Sequence, residues 1–124
     1  MQARILVVDD DPDILNALKK RLLWMGHDVF TAEDGEQALR LVADDQPDLM
    51  LLDIELPGLS GLDLLKQLRD RRSTEQAQPM PGVIVLTAFG TIGRAVEAMQ
   101  LGACDFLTKP FEPDHLSIVI DKAM

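Results

Sequence analysis

The sequence is poor in cysteine and contains no long apolar run. Its single cysteine, Cys104, excludes an internal disulfide and is typical of a reducing compartment, which predicts a cytoplasmic protein. No apolar run approaches the roughly 20 residues that a membrane-spanning helix needs. The first residues lack the apolar stretch and cleavage site of a signal peptide. We therefore expect no membrane partner, and we expect Cys104, beside an apolar run, to be a buried core thiol.

Basic residues are also scarce. The chain has 12 lysines and arginines against 21 aspartates and glutamates, which gives a formal net charge of −9. Nucleic acids attract basic surfaces through their phosphates, so direct nucleic-acid binding by this domain is not expected. The length of 124 residues fits one domain, and a hydrophobic fraction of 47% is enough to build its core.

A regular alternation of short apolar runs and helix-period segments fills the chain. The short runs, which favour buried strands, are 4–8, 27–32, 48–53, 81–88 and 104–109. The segments with helical periodicity begin at Pro12 and then cover 35–44, 62–72, 91–102 and 113–124. Five strand–helix units in series predict an α/β domain, with a parallel sheet, helices on both faces and right-handed crossovers.

Chemically active side chains follow the carboxyl ends of four of the predicted strands. Parallel sheets bind ligands beyond these ends, so the residues there are candidates for one common site. In strand order they are Asp9, Asp10, Asp11, Asp53, Thr87 and Lys109.

The three adjacent acids predict a metal site. Carboxylates that lie close together repel one another unless a cation joins them, and Mg²⁺ prefers oxygen ligands of this kind. We expect Asp9 and Asp10 to face the metal and Asp11 to cap the following helix, because acids favour helix N-termini. A plain alternative is that all three acids only cap that helix.

Asp53 is a candidate nucleophile. Beside a metal and a lysine, a carboxylate can attack phosphorus and become an aspartyl phosphate. Lys109 and the metal would then neutralise charge on the phosphoryl oxygens, and Thr87 would offer a hydroxyl donor. The plain alternative for Asp53 is a solvated acid that ends a strand.

Four segments in this order resemble the receiver domain of two-component response regulators. They are VVDDDP (7–12), LLDIELPGLSG (51–61), VLTA (85–88) and FLTKPF (106–111). The resemblance covers essentially all 124 residues. The stretch from Thr87 to Phe111 is especially similar to receivers of enhancer-binding, NtrC-type transcription activators.

The resemblance implies a flavodoxin-like (βα)₅ fold with strand order 2-1-3-4-5. It implies that Asp53 is the phospho-acceptor. The protein ligands of Mg²⁺ would be Asp9, Asp10, Asp53 and the backbone carbonyl of Glu55.

The resemblance also assigns the remaining site residues. Lys109 and Thr87 would assist the chemistry, Thr87 and Phe106 would be the switch residues, and the bond from Lys109 to Pro110 would be cis. Glu55 and Phe89 lie where the family tunes the lifetime of the phosphate.

The function that the resemblance implies is a phosphorylation-activated signalling switch. A sensor histidine kinase would supply the phosphoryl group, and the surface of the fourth helix, fifth strand and fifth helix would then control an output domain, with transcription regulation as the output. The same surface, where Ile118 is expected to point outward, could form a homodimer. Residues 1–124 would be a single receiver domain at the start of a longer response regulator. Its only catalysis would be its own phosphorylation and dephosphorylation, so we do not expect an enzyme.

Three alternatives share parts of this pattern. A phosphatase of the haloacid dehalogenase type also uses an aspartyl phosphate and Mg²⁺, but its acceptor follows the first strand. A flavin- or nucleotide-binding module would need a glycine- or hydroxyl-rich loop where this chain has three acids. The third is an adaptor of the same fold that is not phosphorylated.

Overall fold

The structure is a computed structural model of the chain and describes residues 2–71, 81–88 and 92–124. Strands and helices alternate through these residues. In chain order they are β1 (Arg4–Val8), α1 (Pro12–Trp24), β2 (Asp28–Ala32), α2 (Gly35–Asp45), β3 (Leu49–Asp53), α3 (Gly61–Arg71), β4 (Gly82–Ala88), α4 (Ile92–Gln100), β5 (Asp105–Lys109) and α5 (Pro113–Ala123).

The strands form one parallel sheet in the order β2-β1-β3-β4-β5. Strand β1 pairs with β2 on one side and with β3 on the other. Strand β4 continues the sheet from β3, and β5 and β2 form its two edges. The predicted α/β class and the strand order are therefore confirmed. The order reverses between β1 and β3, which is where such sheets bind ligands.

The core consists of two layers, one on each face of the sheet. Successive residues of a strand point to opposite faces, so β1 places Leu6 and Val8 in one layer and Ile5 and Val7 in the other. Helices α2, α3 and α4 cover the first layer, and α1 and α5 cover the second. Strand β3 is buried along its whole length, which explains its uniformly apolar sequence before Asp53.

Helix α1 begins as its sequence predicts. The Asp11 side chain accepts a hydrogen bond of 2.9 Å from the Asp13 N–H, and Pro12 occupies the first helical turn. Such a cap satisfies a backbone N–H that has no partner inside the helix. Asp11 therefore caps helix α1, as expected, and differs in this role from Asp9 and Asp10.

Two surface positions test the expected burial pattern. Ile118 on α5 is 57% exposed, as predicted. The prediction for Cys104 is wrong, because its side chain is exposed. Strand β5 begins one residue later, at Asp105, so Cys104 lies in the connection before the strand rather than in the apolar run.

None of the helices in the described parts of the chain combines the length and the apolar character that crossing a membrane requires.

Candidate functional site

Three carboxylates meet where β1 and β3 end. Val8 pairs with Leu52, so the residues that follow each of them lie at the same edge of the sheet. One carboxylate oxygen each of Asp9, Asp10 and Asp53 lies within 4.8 Å of the others. Asp9 and Asp53 are buried, whereas Asp10 is exposed. The cluster therefore has an inner pair of acids and one acid that faces solvent.

Local hydrogen bonds hold the two buried acids in place. The Asp11 N–H donates to Asp9 Oδ1 at 2.9 Å, and the Glu55 N–H donates to Asp53 Oδ1 at 2.9 Å. Each acid thus uses one oxygen to fix the turn that follows its own strand. The other oxygen of each carboxylate remains available to the site.

Lys109 joins the two buried acids. Its Nζ donates to Asp9 Oδ2 at 2.7 Å and to Asp53 Oδ2 at 3.2 Å. It is the last residue of β5, and its bond to Pro110 is cis, as the sequence resemblance implies. The lysine is only 21% exposed, so a single cation is held between two desolvated carboxylates.

The electrostatics of the cluster are set by burial and by these contacts. Burial raises the pKa of Asp53 above its ordinary value of 3.8, and the Asp10 charge adds to the effect, while Lys109 opposes it. For Lys109, burial alone would lower the pKa. The hydrogen bond to Asp9 and the Asp53 charge outweigh burial, so the pKa of Lys109 rises above 10.5 and the lysine is charged at neutral pH.

The cluster fits a hard divalent cation. All of its donors are carboxylate oxygens, and their ligand atoms are close enough to share one ion. Mg²⁺ binds sites of this kind through one or two carboxylates together with waters and phosphate oxygens. The raised pKa of Asp53 supports the fit, because burial disfavours its charged form despite Lys109, and a bound cation would favour that form.

The two predicted switch residues lie on neighbouring strands. Thr87 is buried near the end of β4, whose Leu86 pairs with Asp53 of β3. Phe106 pairs with Val85 in the β4–β5 register and packs, partly buried, against the core layer that contains Val85. Thr87 and Phe106 therefore share one face of the sheet, two positions apart. Phe89, the other predicted tuning position, lies outside the described residues.

Comparison with protein families gives the decisive match. Residues 5–121 match the response regulator receiver domain. This chain is a receiver domain. The match spans every element from β1 to α5, including all residues of the acidic cluster and Lys109.

Curated bacterial regulators are similar over nearly the whole receiver domain. The regulatory protein AtoC of Escherichia coli is 37% identical over 98% of this chain and 25% of its own length. The DNA-binding transcriptional regulator NtrC of the same species is 39% identical over 97% and 24%. The regulatory protein PhoP of Bacillus subtilis is 42% identical over 94% and 46%. This chain thus spans between 24% and 46% of the length of these relatives.

Solved receiver structures agree with the fold. The receiver domain of NtrX from Brucella abortus has a TM-score of 0.87 and 39% identity, with 96% of each chain covered. The chemotaxis protein CheY4 of Vibrio cholerae has a TM-score of 0.86 and 26% identity over 100% of both chains. The predicted relation to receivers of NtrC-type activators is confirmed by these matches.

Two site residues of this receiver domain escaped the sequence analysis. Arg94, in the first turn of α4, donates from Nη1 to Glu55 Oε1. Gly61, the first residue of α3, packs directly against the backbone of Asp53 and Ile54. Neither residue stands out in the sequence, because arginines on helices and glycines in turns are common. The negative charge of Glu55, two residues after Asp53, is the sequence feature that hints at a cationic partner.

Gly61→Ala is expected to destabilise the receiver domain. A Cβ at this position would overlap the carbonyl oxygen of Asp53 and lie 2.7 Å from the Cα of Ile54. Both are backbone atoms, so the strand end or the helix must move, and overpacking of this kind costs about 1–3 kcal/mol. Urea unfolding followed by circular dichroism would measure the loss.

Gly93→Ala is the matched control for this substitution. Gly93 is an exposed glycine in α4, and a Cβ there would meet nothing within 4 Å. Alanine should stabilise that helix by up to about 1 kcal/mol, because glycine is the poorer helix former. Equal effects of the two substitutions would contradict the steric explanation for Gly61.

Proposed function

We propose that this receiver domain is a phosphorylation-activated switch in which Asp53 accepts a phosphoryl group from a sensor histidine kinase, with Mg²⁺ bound. The observation that carries the proposal is the bridge that Lys109 Nζ forms between Asp9 and Asp53 beside the third carboxylate, Asp10. A cation aimed at a buried carboxylate is the arrangement that phosphoryl transfer to that carboxylate requires.

The chemistry would proceed by nucleophilic attack. A carboxylate oxygen of Asp53 forms the new bond to phosphorus, while the bond from phosphorus to the histidine nitrogen of the donor breaks and leaves its electron pair on nitrogen. The Glu55 N–H holds Asp53 in position through Oδ1. Lys109 already lies against Asp53, so its ammonium is available to bind an oxygen of the transferred group.

The metal site would be formed by Asp9, Asp10, Asp53 and the backbone carbonyl of Glu55. Bound Mg²⁺ supplies positive charge that offsets the negative charge of the phosphoryl oxygens. Asp9 would have a second task, because it also orients Lys109 through their 2.7 Å contact.

The signal would travel through the switch residues. A phosphoryl group adds strong acceptor oxygens near the end of β4, where the Thr87 hydroxyl can donate to them. Phe106, on the same face of the neighbouring strand, would then repack into the space that Thr87 leaves. The result is a shift in population between two states of the α4-β5-α5 surface.

The α4-β5-α5 surface carries exposed apolar side chains that suit a partner. Val96, Met99 and Ile118 are 51%, 40% and 57% exposed. We propose that this surface contacts an output domain or a second copy of the receiver domain. We propose that residues 1–124 are the N-terminal part of a longer response regulator with a transcriptional output. The greater length of the curated relatives supports a longer protein.

Receiver domains are signalling domains rather than conventional enzymes. The only catalysis proposed for this one is its own phosphorylation and dephosphorylation. With a net charge of −9 it is not expected to bind nucleic acid directly. The cytoplasmic location inferred from the cysteine content also stays a prediction.

The test is the intact mass of the protein after incubation with acetyl phosphate. We expect a gain of one phosphoryl group when Mg²⁺ is present and no gain when EDTA removes it. A gain of the same size in EDTA would contradict the metal-dependent mechanism. No gain under any condition, from acetyl phosphate or a phosphorylated kinase domain, would leave the non-phosphorylated adaptor. Steady turnover of a phosphomonoester would instead favour the phosphatase alternative.

A further inference from the structure

We propose that Arg94 is a positioning residue that holds the Glu55 carboxylate in an ion pair at the mouth of the acceptor site and thereby sets the rate at which anionic donors phosphorylate Asp53. The inference rests on the proposed function, since it concerns the same acceptor. It adds a residue from α4 to a site that otherwise consists of strand ends.

Glu55 contacts Asp53 through its backbone and helix α4 through its side chain. Its backbone N–H donates to Asp53 Oδ1 at 2.9 Å, and its side chain accepts from Arg94 Nη1. The Cα atoms of Asp53 and Glu55 lie at most about 7 Å apart, so Glu55 belongs to the immediate surroundings of Asp53. Both side chains of the ion pair are 51% exposed and therefore face the solvent through which a donor must approach.

The charge at this edge of the sheet explains why the ion pair matters. Asp9, Asp10 and Asp53 already place three carboxylates there, with Lys109 as their shared cation. A free Glu55 would add a fourth negative charge on the path of donors that are themselves anions. The other ion pairs among the described residues, those of Arg4, Arg21 and Arg69, use carboxylates outside the cluster. Arg94 therefore supplies the positive charge that compensates the negative charge of Glu55.

An electrostatic role predicts opposite effects from the two halves of the pair. Arg94→Gln leaves Glu55 uncompensated and should slow phosphorylation by acetyl phosphate. Glu55→Gln leaves Arg94 uncompensated and should accelerate it. Each change should be roughly threefold, the effect of one unit charge at an assumed separation of about 8 Å in a largely aqueous environment. The double variant should return close to the wild-type rate, and added salt should shrink both differences.

Binding of Mg²⁺ without any donor gives a second, independent readout. A free Glu55 carboxylate attracts a cation, so Arg94→Gln should tighten Mg²⁺ binding by roughly sixfold, because a divalent ion doubles the Coulomb energy, and Glu55→Gln should weaken it to a similar degree. The variant that binds Mg²⁺ more tightly should thus be the one that is phosphorylated more slowly. Isothermal titration calorimetry on the unphosphorylated proteins would measure the affinities, and initial rates from intact mass at saturating Mg²⁺ would measure phosphorylation.

Two control variants separate this role from a general effect of charge or folding. Arg94→Lys keeps the positive charge and should retain the wild-type rate. Arg69→Gln removes the same charge from the exposed far end of α3, about 12 Å along that helix from Gly61, and should change neither readout.

The outcomes distinguish failure of the inference from failure of the proposed function. If both single variants change the phosphorylation rate in the same direction, or neither differs from wild type, the role of Arg94 is wrong while the acceptor chemistry stands. If wild type takes up no phosphoryl group at all, the proposed function fails. Unchanged Mg²⁺ affinities in that case would overturn the inference about Arg94 as well.

Discussion

Asp53→Asn is expected to abolish the Mg²⁺-dependent gain of a phosphoryl group and, at the same time, to raise the free energy of unfolding at pH 7. The neutral amide of asparagine cannot replace the carboxylate as a nucleophile, so no phosphoryl group should be gained at this position. The gain in stability follows from the raised pKa of Asp53, which means that burial makes its charged form costly in the folded state.

The pH dependence of this stability difference has a definite sign. Because the pKa of Asp53 is raised above 3.8, the folded protein holds the proton more tightly than the unfolded chain. The Asp53 contribution therefore becomes less favourable as the pH rises from about 4 through the raised pKa. Urea unfolding without Mg²⁺ should show a larger advantage of the asparagine variant at pH 7 than at pH 4.

Asp44→Asn is the control for removing one carboxylate. Asp44 is exposed on α2, outside the acidic cluster, so this variant should keep both its labelling and its stability. Labelling of the Asp53 variant at the wild-type level would show that another residue is the acceptor. A loss of stability at pH 7 would show that the contact with Lys109 outweighs the cost of burying the carboxylate.

Lys109→Met is expected to slow phosphorylation by roughly two to three orders of magnitude, the usual effect of removing a donor that stabilises developing negative charge. The variant removes the ammonium that contacts both Asp9 and Asp53. Initial rates from intact mass at saturating Mg²⁺ would measure the change. Arginine should restore the rate only in part, because its planar guanidinium does not replace a compact ammonium between two carboxylates.

The same variant should lose stability, because two buried carboxylates would be left without their cation. Removing one partner of a buried ion pair commonly costs 3–5 kcal/mol, and the partial exposure of Lys109 reduces the expectation here to about 2 kcal/mol. The raised pKa of Lys109 means that its contribution is fully present at neutral pH and is lost only as the pH rises through that raised value.

Lys19→Met provides the matched control, since Lys19 is exposed on α1. It should change neither the rate nor the stability by a comparable amount. A wild-type rate in the Lys109 variant would contradict the role proposed for this lysine, whatever its stability.

The elements of the fold could be predicted because their pattern is local. A short apolar run that must be buried on both faces has few options other than a central parallel strand, and β1 was predicted at the residues where it occurs, Arg4–Val8. The start of β5 was placed one residue early because Cys104 is apolar enough to extend the run. Where β5 begins depends on which of its residues pair with β4, and the apolar run by itself carries no information about that pairing.

The candidate site could be predicted in part for a different reason. Parallel strands bring their carboxyl ends to one edge, so residues at those ends meet whatever their distance along the chain. Asp9 and Lys109 are 100 residues apart and still form a 2.7 Å contact. The roles given to the site residues, among them Asp53, Thr87 and Phe106, stay predictions.

By itself, the sequence determined the strands and helices, the two apolar faces and the set of polar side chains at the sheet edge. Only the tertiary structure decided which of these side chains touch. The lysine that bridges two acids, the glycine that lets α3 approach Asp53 and the Arg94–Glu55 ion pair all join separate elements. The periodicity of a sequence indicates which way each side chain faces. The distance between side chains on different elements depends on how the helices pack on the sheet.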